Sequence, residues 1–145
     1  MVLLMISLIF SGVLAGHWQH FRMWRLNKNF SKVKLEETEL EASLKRLDNE
    51  IFIVTTCKSG NLGIARSLDQ TRSINDKLKA FLKLVNSSCH FIEARLKSKL
   101  RLSKRAYWER HKEDFFAIRK GLKSAIKKAD IAIETAELIF LHNKK

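Results

Sequence analysis

Residues 115–139 read FFAIRKGLKSAIKKADIAIETAELI, and this stretch decides the fold class. Apolar and small residues recur in it at alternating spacings of three and four, which places them along one face of an α-helix. The members of this seam are Phe115, Ile118, Leu122, Ala125, Ala129, Ala132, Ala136 and Ile139. Because alanines allow two helices to approach closely, we predict that this helix packs against another, within the chain or across a dimer.

The composition of the 145-residue chain favours helices as well. The chain contains no Pro and only 5 Gly, which argues against a turn-rich β-sandwich or barrel. Its two Cys provide no disulfide framework, and no spacing of Cys with His fits a zinc module. Hydrophobic residues make up 46% of the chain, too many for a disordered basic tail. We therefore expect an all-α protein.

A first heptad seam precedes this helix and covers residues 23–54, with charged residues between its apolar positions. The run Ile51–Thr56 has strand propensity, but the sequence offers no second strand to pair with it, so we predict that it ends the helix. The clearest break follows at Lys58–Gly63. Its glycines, beside Ser and Asn, are expected to supply left-handed turn positions and a helix cap.

A second, weaker seam covers residues 64–96, because several of its positions are polar. Asn86–Ser88 could bend or interrupt this helix, and a further turn is expected around Ser103–Tyr107. The predicted architecture is an N-terminal transmembrane helix that continues into a long helix, followed by an antiparallel helical bundle or coiled-coil hairpin. The corresponding segments are an anchor at 1–21, a juxtamembrane heptad helix at 22–58 and a basic helical hairpin at 59–145.

The N-terminal segment predicts the compartment. No charged side chain precedes Arg22, and residues 2–21 as a helix span about 30 Å, the thickness of the bilayer hydrocarbon. Bases then outnumber acids, so the positive-inside rule predicts a single-pass inner or plasma membrane protein with a cytoplasmic C-terminal domain. The expected interfacial anchor residues are Trp18, Arg22, Trp24, Arg25 and Lys28.

Two other interpretations of this segment remain open: a signal peptide cleaved after Val13-Leu14-Ala15, and a buried core helix. If residues 2–21 do cross the membrane, Gly12 and Gly16 form a G-x-x-x-G pattern that lets a second membrane helix approach closely. They are therefore the predicted site of membrane-helix packing.

The formal net charge is +13, and the sequence concentrates it in the middle helix. The densest cations follow one another closely: Arg95, Lys97, Lys99, Arg101, Lys104 and Arg105. Such a run suits an anionic lipid surface or an acidic protein, and the alternative is a solvated face that keeps the helix soluble. No zinc finger, recognition helix or RNP-type motif favours nucleic acid.

The histidines of the sequence do not form a recognisable catalytic or metal-binding motif. His17 and His20 lack a third ligand, and His111 would need a burying pocket to act as an acid or base. No catalytic residue, metal or cofactor is therefore predicted. Cys57 and Cys89 should stay reduced in a cytoplasmic domain, whereas an exported domain would let them pair.

The sequence thus predicts a non-enzymatic membrane protein whose basic helical domain oligomerises and docks a partner, as a scaffold or subunit of a membrane complex. The rival hypotheses are a secreted basic helical-bundle binding protein with Cys57 and Cys89 bridged, and a reversed-topology structural or lysis factor that spans the envelope.

Overall fold

The computed structural model describes the backbone of residues 2–57, 61–99 and 102–143. Side chains are described for residues 21, 25, 28, 32–56, 61–99, 102 and 104–143. The chain forms three helices: α1 (Val2–Cys57), α2 (Leu62–Lys97) and α3 (Leu102–His142). These described stretches contain no strand, so the protein is all-helical, as predicted, and the run Ile51–Thr56 is part of α1.

The chain divides into two compact units, Met1–Leu35 and Glu36–Lys145. The second unit contains the last part of α1 together with α2 and α3. Its core brings all three helices together, at Leu47 of α1, Leu68 of α2 and Ala136 of α3. Ile51, Ala132 and Ile133 pack against this cluster. Three packed helices with a shared apolar centre form a helical bundle.

The seam of α2 is buried along most of its length. Its buried residues are Ile64, Leu68, Thr71, Ile74, Asn75, Leu78, Val85, Ser88, Cys89 and Ile92. Their spacing of three and four residues explains the burial, since such positions share one helix face. Polar residues on this seam are accommodated by hydrogen bonds, as the buried pair between α1 and α2 illustrates.

That buried pair is formed by Ser43 of α1 and Thr71 of α2, whose hydroxyl oxygens lie 2.6 Å apart. Thr71 Oγ1 donates to the carbonyl oxygen of Ser67 at 2.8 Å. A hydroxyl has one hydrogen, so Ser43 donates to Thr71. Because both hydroxyls need this geometry, the pair favours one register of α1 against α2.

The expected interruption of α2 at Asn86–Ser88 does not occur, and the helix runs unbroken from Leu62 to Lys97. The two serine hydroxyls hydrogen-bond to carbonyls one turn earlier, Ser87 to Lys83 and Ser88 to Leu84. Serine is a poor helix former when its hydroxyl competes for the backbone, but here it bonds within the helix and leaves the ladder intact.

The turn between α2 and α3 lies earlier than expected. Ser98 is extended and caps α2, because its amide and its hydroxyl both donate to the carbonyl of Arg95. Helix α3 then begins at Leu102, so Ser103–Tyr107 is helical. The sequence around the true turn contains neither Gly nor Pro, which is why composition did not mark it.

Between α1 and α2 the structure corrects the expected role of one glycine. Gly63 lies in the first turn of α2, in helical conformation, and Asn61 makes no side-chain cap. A Cβ at Gly63 would overlap the carboxylate of Glu50 on α1. This close approach places a negative charge beside the first turn of α2, where free amides favour it. The remainder of the predicted break, residues 58–60, lies outside the described residues.

Candidate functional site: a basic half of the bundle

Helices α2 and α3 are antiparallel, because residues farther along α2 contact residues nearer to the start of α3. Asn75 donates to Asp130 at 2.8 Å, and farther along α2 the ring of Phe91 meets Trp108 with centroids 5.8 Å apart. The end of α2 therefore lies beside the start of α3. Residues 80–97 and 102–128 together occupy one half of the hairpin, around its turn.

This half carries most of the charge of the protein. Residues 80–128 contain 14 Lys and Arg against four Asp and Glu, a formal charge of 14 − 4, or +10. Residues 36–79 and 129–143, the opposite half, contain seven bases and 11 acids, a formal charge of 7 − 11, or −4. We call residues 80–128 the basic half. The bundle is thus strongly polarised along its length.

The ion pairs follow the same division. Among the side chains that the structure describes, those that connect two helices lie in the opposite half: Arg72 with Glu137, Lys77 with Glu36, and Lys79 with Asp130. In the basic half, the ion pairs found among the described side chains each stay within one helix: Arg105 with Glu109, and His90 with Glu93. Carboxylates from neighbouring helices thus offset few of the cations in the basic half, which leaves a positive field over that surface.

One carboxylate in the opposite half has a perturbed acidity. The hydrogen bond from Lys79 Nζ, at 2.7 Å, lowers the pKa of Asp130, and the Asn75 amide lowers it further. Burial acts against this shift, but more weakly than the lysine. Asp130 therefore remains ionised to lower pH than an isolated aspartate, and it keeps Lys79 neutralised.

The predicted cation cluster lies around the α2–α3 turn instead of on one helix. Arg95 and Lys97 are in the last turn of α2, where cations interact favourably with the helix dipole. Lys104 and Arg105 are in the first turn of α3, which has no acidic residue. Apart from Arg95, which is half-buried, the described members of the cluster are exposed. Arg101 lies outside the described residues.

Aromatic side chains pack together next to this turn. Trp108 contacts Phe91 on α2 and Tyr107 on its own helix, with centroids 5.8 and 5.3 Å apart and nearly perpendicular rings. His111 continues the cluster, with its ring 4.3 Å from that of Tyr107. Such edge-to-face contacts pack the two helices and restrain the side chains that carry them.

The environment of His111 disfavours its protonated form. Burial is the largest influence and lowers the pKa of His111, while Asp114 acts in the opposite direction. The histidine lies among aromatic rings, and among the residues described here no group of three His, Cys, Asp or Glu could hold a metal ion. These contacts explain the residue as part of the packing of the hairpin.

One feature of the basic half was missed by sequence reasoning. On α3 the ring of Phe116 lies between two cations, with Arg119 Cζ 4.0 Å and Lys112 Nζ 5.4 Å from its centroid. The spacings of three and four residues were a visible signal, because they place these side chains together on a helix. Cation–π contact holds the two charges in a fixed position on the surface.

The other predicted site residues divide into two groups. On α3, Phe115, Leu122, Ala129 and Ala136 are buried, while Ile118, Ala125 and Ala132 are half-buried. In the N-terminal segment, Arg25 and Lys28 are exposed. Gly12, Gly16, Trp18, Arg22 and Trp24 lie outside the residues whose surroundings the structure describes, and so do His17 and His20.

A disulfide between Cys57 and Cys89 does not fit this fold. Cys89 is fully buried, and burial raises the pKa of its thiol. It lies 27 residues after Leu62, about 40 Å along α2, while the five residues from Cys57 to Leu62 reach at most about 18 Å. The two backbones are therefore at least about 20 Å apart, and a disulfide requires less than about 7 Å.

A cavity lies in the opposite half, between α2 and α3. This cavity of about 430 Å³ is lined by Leu68, Phe140 and Leu141 and bordered by the Arg72–Glu137 ion pair. The lining is mainly apolar, and its charged groups neutralise each other. Nothing in it pairs a nucleophile with a base.

Neither a membrane span nor a known relative is found for the chain within the following limits. Among the residues whose side chains the structure describes, which do not include 2–20, no helical stretch has the length and hydropathy needed to cross a membrane. No protein-family model matches the chain, and neither a curated protein nor a solved structure matches it.

Proposed function

We propose that the chain is a single-span membrane protein whose helical domain is a non-enzymatic docking scaffold. The support for the span is the sequence of residues 2–21, which lacks charged side chains and is followed by five bases before the first acid at Glu36. In this proposal the basic residues after the span keep the domain in the cytoplasm.

The observation that carries the docking role is the separation of charge along the bundle. A basic half of formal charge +10 beside an opposite half of −4 presents a strong, oriented field. Such fields steer a partner of opposite charge and set its orientation on encounter. The exposed cations Lys120, Lys127 and Lys128 on α3 offer a surface for an acidic protein.

Membrane attachment would strengthen this docking. A partner bound to an anchored domain stays near the bilayer, and any second contact it makes there becomes intramolecular. Helices α2 and α3, of 36 and 41 residues, are about 54 and 62 Å long. They are long enough to hold a partner away from the lipid while keeping it attached.

The rival in which the domain is secreted and bridged by a disulfide is weakened by the geometry. Its two cysteines lie too far apart within one chain for the bridge that it requires. A secreted form would therefore need to be stable without that bond.

Topology tests the first part of the proposal. Cys89 is buried and unsuitable for labelling, so the exposed Ser73 is replaced in the variant Ser73→Cys, with Cys57→Ser in the same chain. We expect the protein to resist carbonate extraction, to retain residues 1–15, and to react with an impermeant maleimide only in permeabilised cells. Loss of residues 1–15, or labelling in intact cells, would overturn the cytoplasmic anchored scaffold.

Charge variants test the docking role. Lys120, Lys127 and Lys128 are changed together to Gln, and native gels of detergent extracts report the size of the complex. A matched control changes Lys45, Arg46 and Arg66 to Gln in the opposite half, which removes the same charge from exposed positions. We expect the substitutions at Lys120, Lys127 and Lys128 to dissociate the complex of the chain with its partner, and the control substitutions to leave that complex intact. Equal behaviour of both sets, or a monomer in the unchanged protein, would contradict docking through the basic half.

A further inference from the structure

The α2–α3 turn has a charge pattern unlike the remainder of the basic half. We call residues 94–108 the tip. Between Glu93 and Glu109 it contains six Lys and Arg and no acidic residue. Of these six, Lys97, Lys99, Lys104 and Arg105 are exposed. The tip is therefore a purely cationic end of the hairpin.

Apolar side chains are exposed among these cations. Leu102 is 88% exposed, the largest value among the exposed large hydrophobic side chains described, and Tyr107 is 41% exposed. Leu102 is the first residue of α3, directly between the exposed Lys99 and Lys104 in sequence. A single exposed leucine is common on protein surfaces, so the informative feature here is that Leu102 and Tyr107 are exposed among cations.

The combination of cations with an exposed apolar centre distinguishes the possible partners. Phosphodiester chains and acidic protein surfaces attract the cations, but they offer little to an isolated leucine that projects from a turn. A bilayer with anionic headgroups satisfies both, since cations approach the headgroups while the leucine and the tyrosine enter the boundary with the acyl chains. Tyrosine is itself enriched at this boundary.

Packing restrains the two helix ends that border the turn. Trp108 is fixed against Phe91 of α2 and Tyr107 of α3, and Ser98 closes α2 with two hydrogen bonds to Arg95. The guanidinium of Arg95 lies 5.5 Å from the Phe91 centroid. A preorganised surface loses little conformational entropy when it binds.

The tip lies at one end of the unit Glu36–Lys145. Lys77 of α2 contacts Glu36 of α1 in this unit. From that level α2 continues for 20 residues to Lys97, which is about 30 Å along the helix. The tip is therefore well separated from the interhelical ion pairs of the opposite half.

We propose that the tip docks on an anionic lipid surface, with Leu102 and Tyr107 at the boundary of the acyl chains and the surrounding cations on the headgroups. The inference rests on the proposed function in one respect, because an anchored chain brings the tip to the membrane. The tip and the anchor nevertheless make separate contacts, so they can be tested separately.

The experiment uses the full chain in nanodiscs of phosphatidylcholine alone or with about a third of phosphatidylserine. An environment-sensitive NBD label is placed through Leu102→Cys, in a chain that also carries Cys57→Ser, and doxyl-labelled lipid serves as the quencher. The matched control carries the label through Ser73→Cys in the opposite half. We expect quenching at position 102 only with phosphatidylserine, reversed by 0.5 M NaCl (on the order of a 4 Å Debye length), and none at position 73.

Charge substitutions give the size of the effect. Changing Lys97, Lys99, Lys104 and Arg105 to Gln should lower the docking equilibrium constant about fivefold for each cation removed. Four neutral substitutions in the basic half outside the tip, at Lys120, Lys123, Lys127 and Lys128, should leave the quenching at position 102 unchanged. Equal losses from both sets would overturn the tip as the lipid contact.

Retention on neutral lipid separates this inference from the proposed function. In one outcome, phosphatidylcholine discs retain the chain through carbonate treatment, but anionic discs give no quenching at position 102. This result would overturn the lipid contact of the tip and not the anchor, and an acidic protein would then be the partner of the tip cations. A chain that leaves neutral discs but binds anionic ones with quenching at 102 overturns the anchor and supports the tip. Absence of both contacts overturns both proposals.

Discussion

Replacing Ala129 with Glu tests the packing of the bundle most directly. Ala129 has no exposed surface and lies on the seam of α3. A carboxyl group placed there must be buried, at about 1–3 kcal/mol even in its protonated form. The additional atoms must also fit into a filled site, which costs about 1–3 kcal/mol more. We therefore expect Ala129→Glu to lower the free energy of unfolding by about 4 kcal/mol.

Thermal unfolding followed by circular dichroism in detergent micelles measures this loss. For a chain of this length about 4 kcal/mol corresponds to a decrease of about 10–15 °C in Tm. The matched control is Ser124→Glu, which introduces the same charge at an exposed position of α3. It should change Tm little, because its carboxylate stays in water among cations. A Tm for Ala129→Glu within about 2 °C of the unchanged protein would refute the buried seam.

Three further predictions address other contacts. In a double-mutant cycle, Ser43→Ala and Thr71→Val should show a coupling of about 1 kcal/mol by urea unfolding, because their buried hydroxyls bond each other. His111→Gln should reduce the loss of Tm when the pH is lowered from 7.5 to 5.5. Burial lowers the pKa of His111, so below about pH 6.5 the unfolded chain binds more protons than the folded chain, and the folded protein loses stability as the pH decreases. If residues 2–21 form the proposed membrane helix, Gly12→Leu with Gly16→Leu should weaken its association, measured by resonance energy transfer in micelles.

Each of these predictions has a matched control. Ser87→Ala, at an exposed hydroxyl, should show no coupling to Thr71→Val, and equal coupling would mean that the hydroxyl pair is not special. The unchanged protein, measured over the same pH range, is the reference for His111→Gln, and an equal loss of Tm in both would contradict the burial of His111. Gly121→Leu adds the same side chain at an exposed helical position with open space around it, and it should not alter association. Association that survives the glycine changes removes the G-x-x-x-G site.

The sequence anticipated the helices because helical periodicity is a local property. Seam positions such as Leu47, Leu68 and Leu122 could be identified from spacings of three and four, and all three are buried. Composition also excluded turn-rich β folds, since few residues favour turns. The candidate cations around the turn were visible as a run of bases in the sequence.

Local patterns were less informative where the outcome depends on competing contacts. Ser87 and Ser88 suggested a break, but their hydroxyls bond back within α2 and the helix continues. Gly63 suggested a left-handed turn, whereas the structure uses its small size to admit Glu50 from another helix. Neither outcome can be read from neighbours in sequence, because each depends on where a distant group or a carbonyl lies.

The sequence by itself determined that the protein is helical, strongly basic, and apolar at its N-terminal segment. The tertiary structure alone decided how the charge is distributed in space. Antiparallel packing of α2 and α3 brings residues 80–97 beside 102–128, and so it joins two basic stretches from different helices into one half of formal charge +10. The acids of α1 and of the end of α3 meet at the opposite half, where they form the interhelical ion pairs. The charge of the basic half can be summed from the sequence, since residues 80–128 are continuous, but the gathering of the acidic segments at the opposite half arises from contacts between residues far apart in sequence.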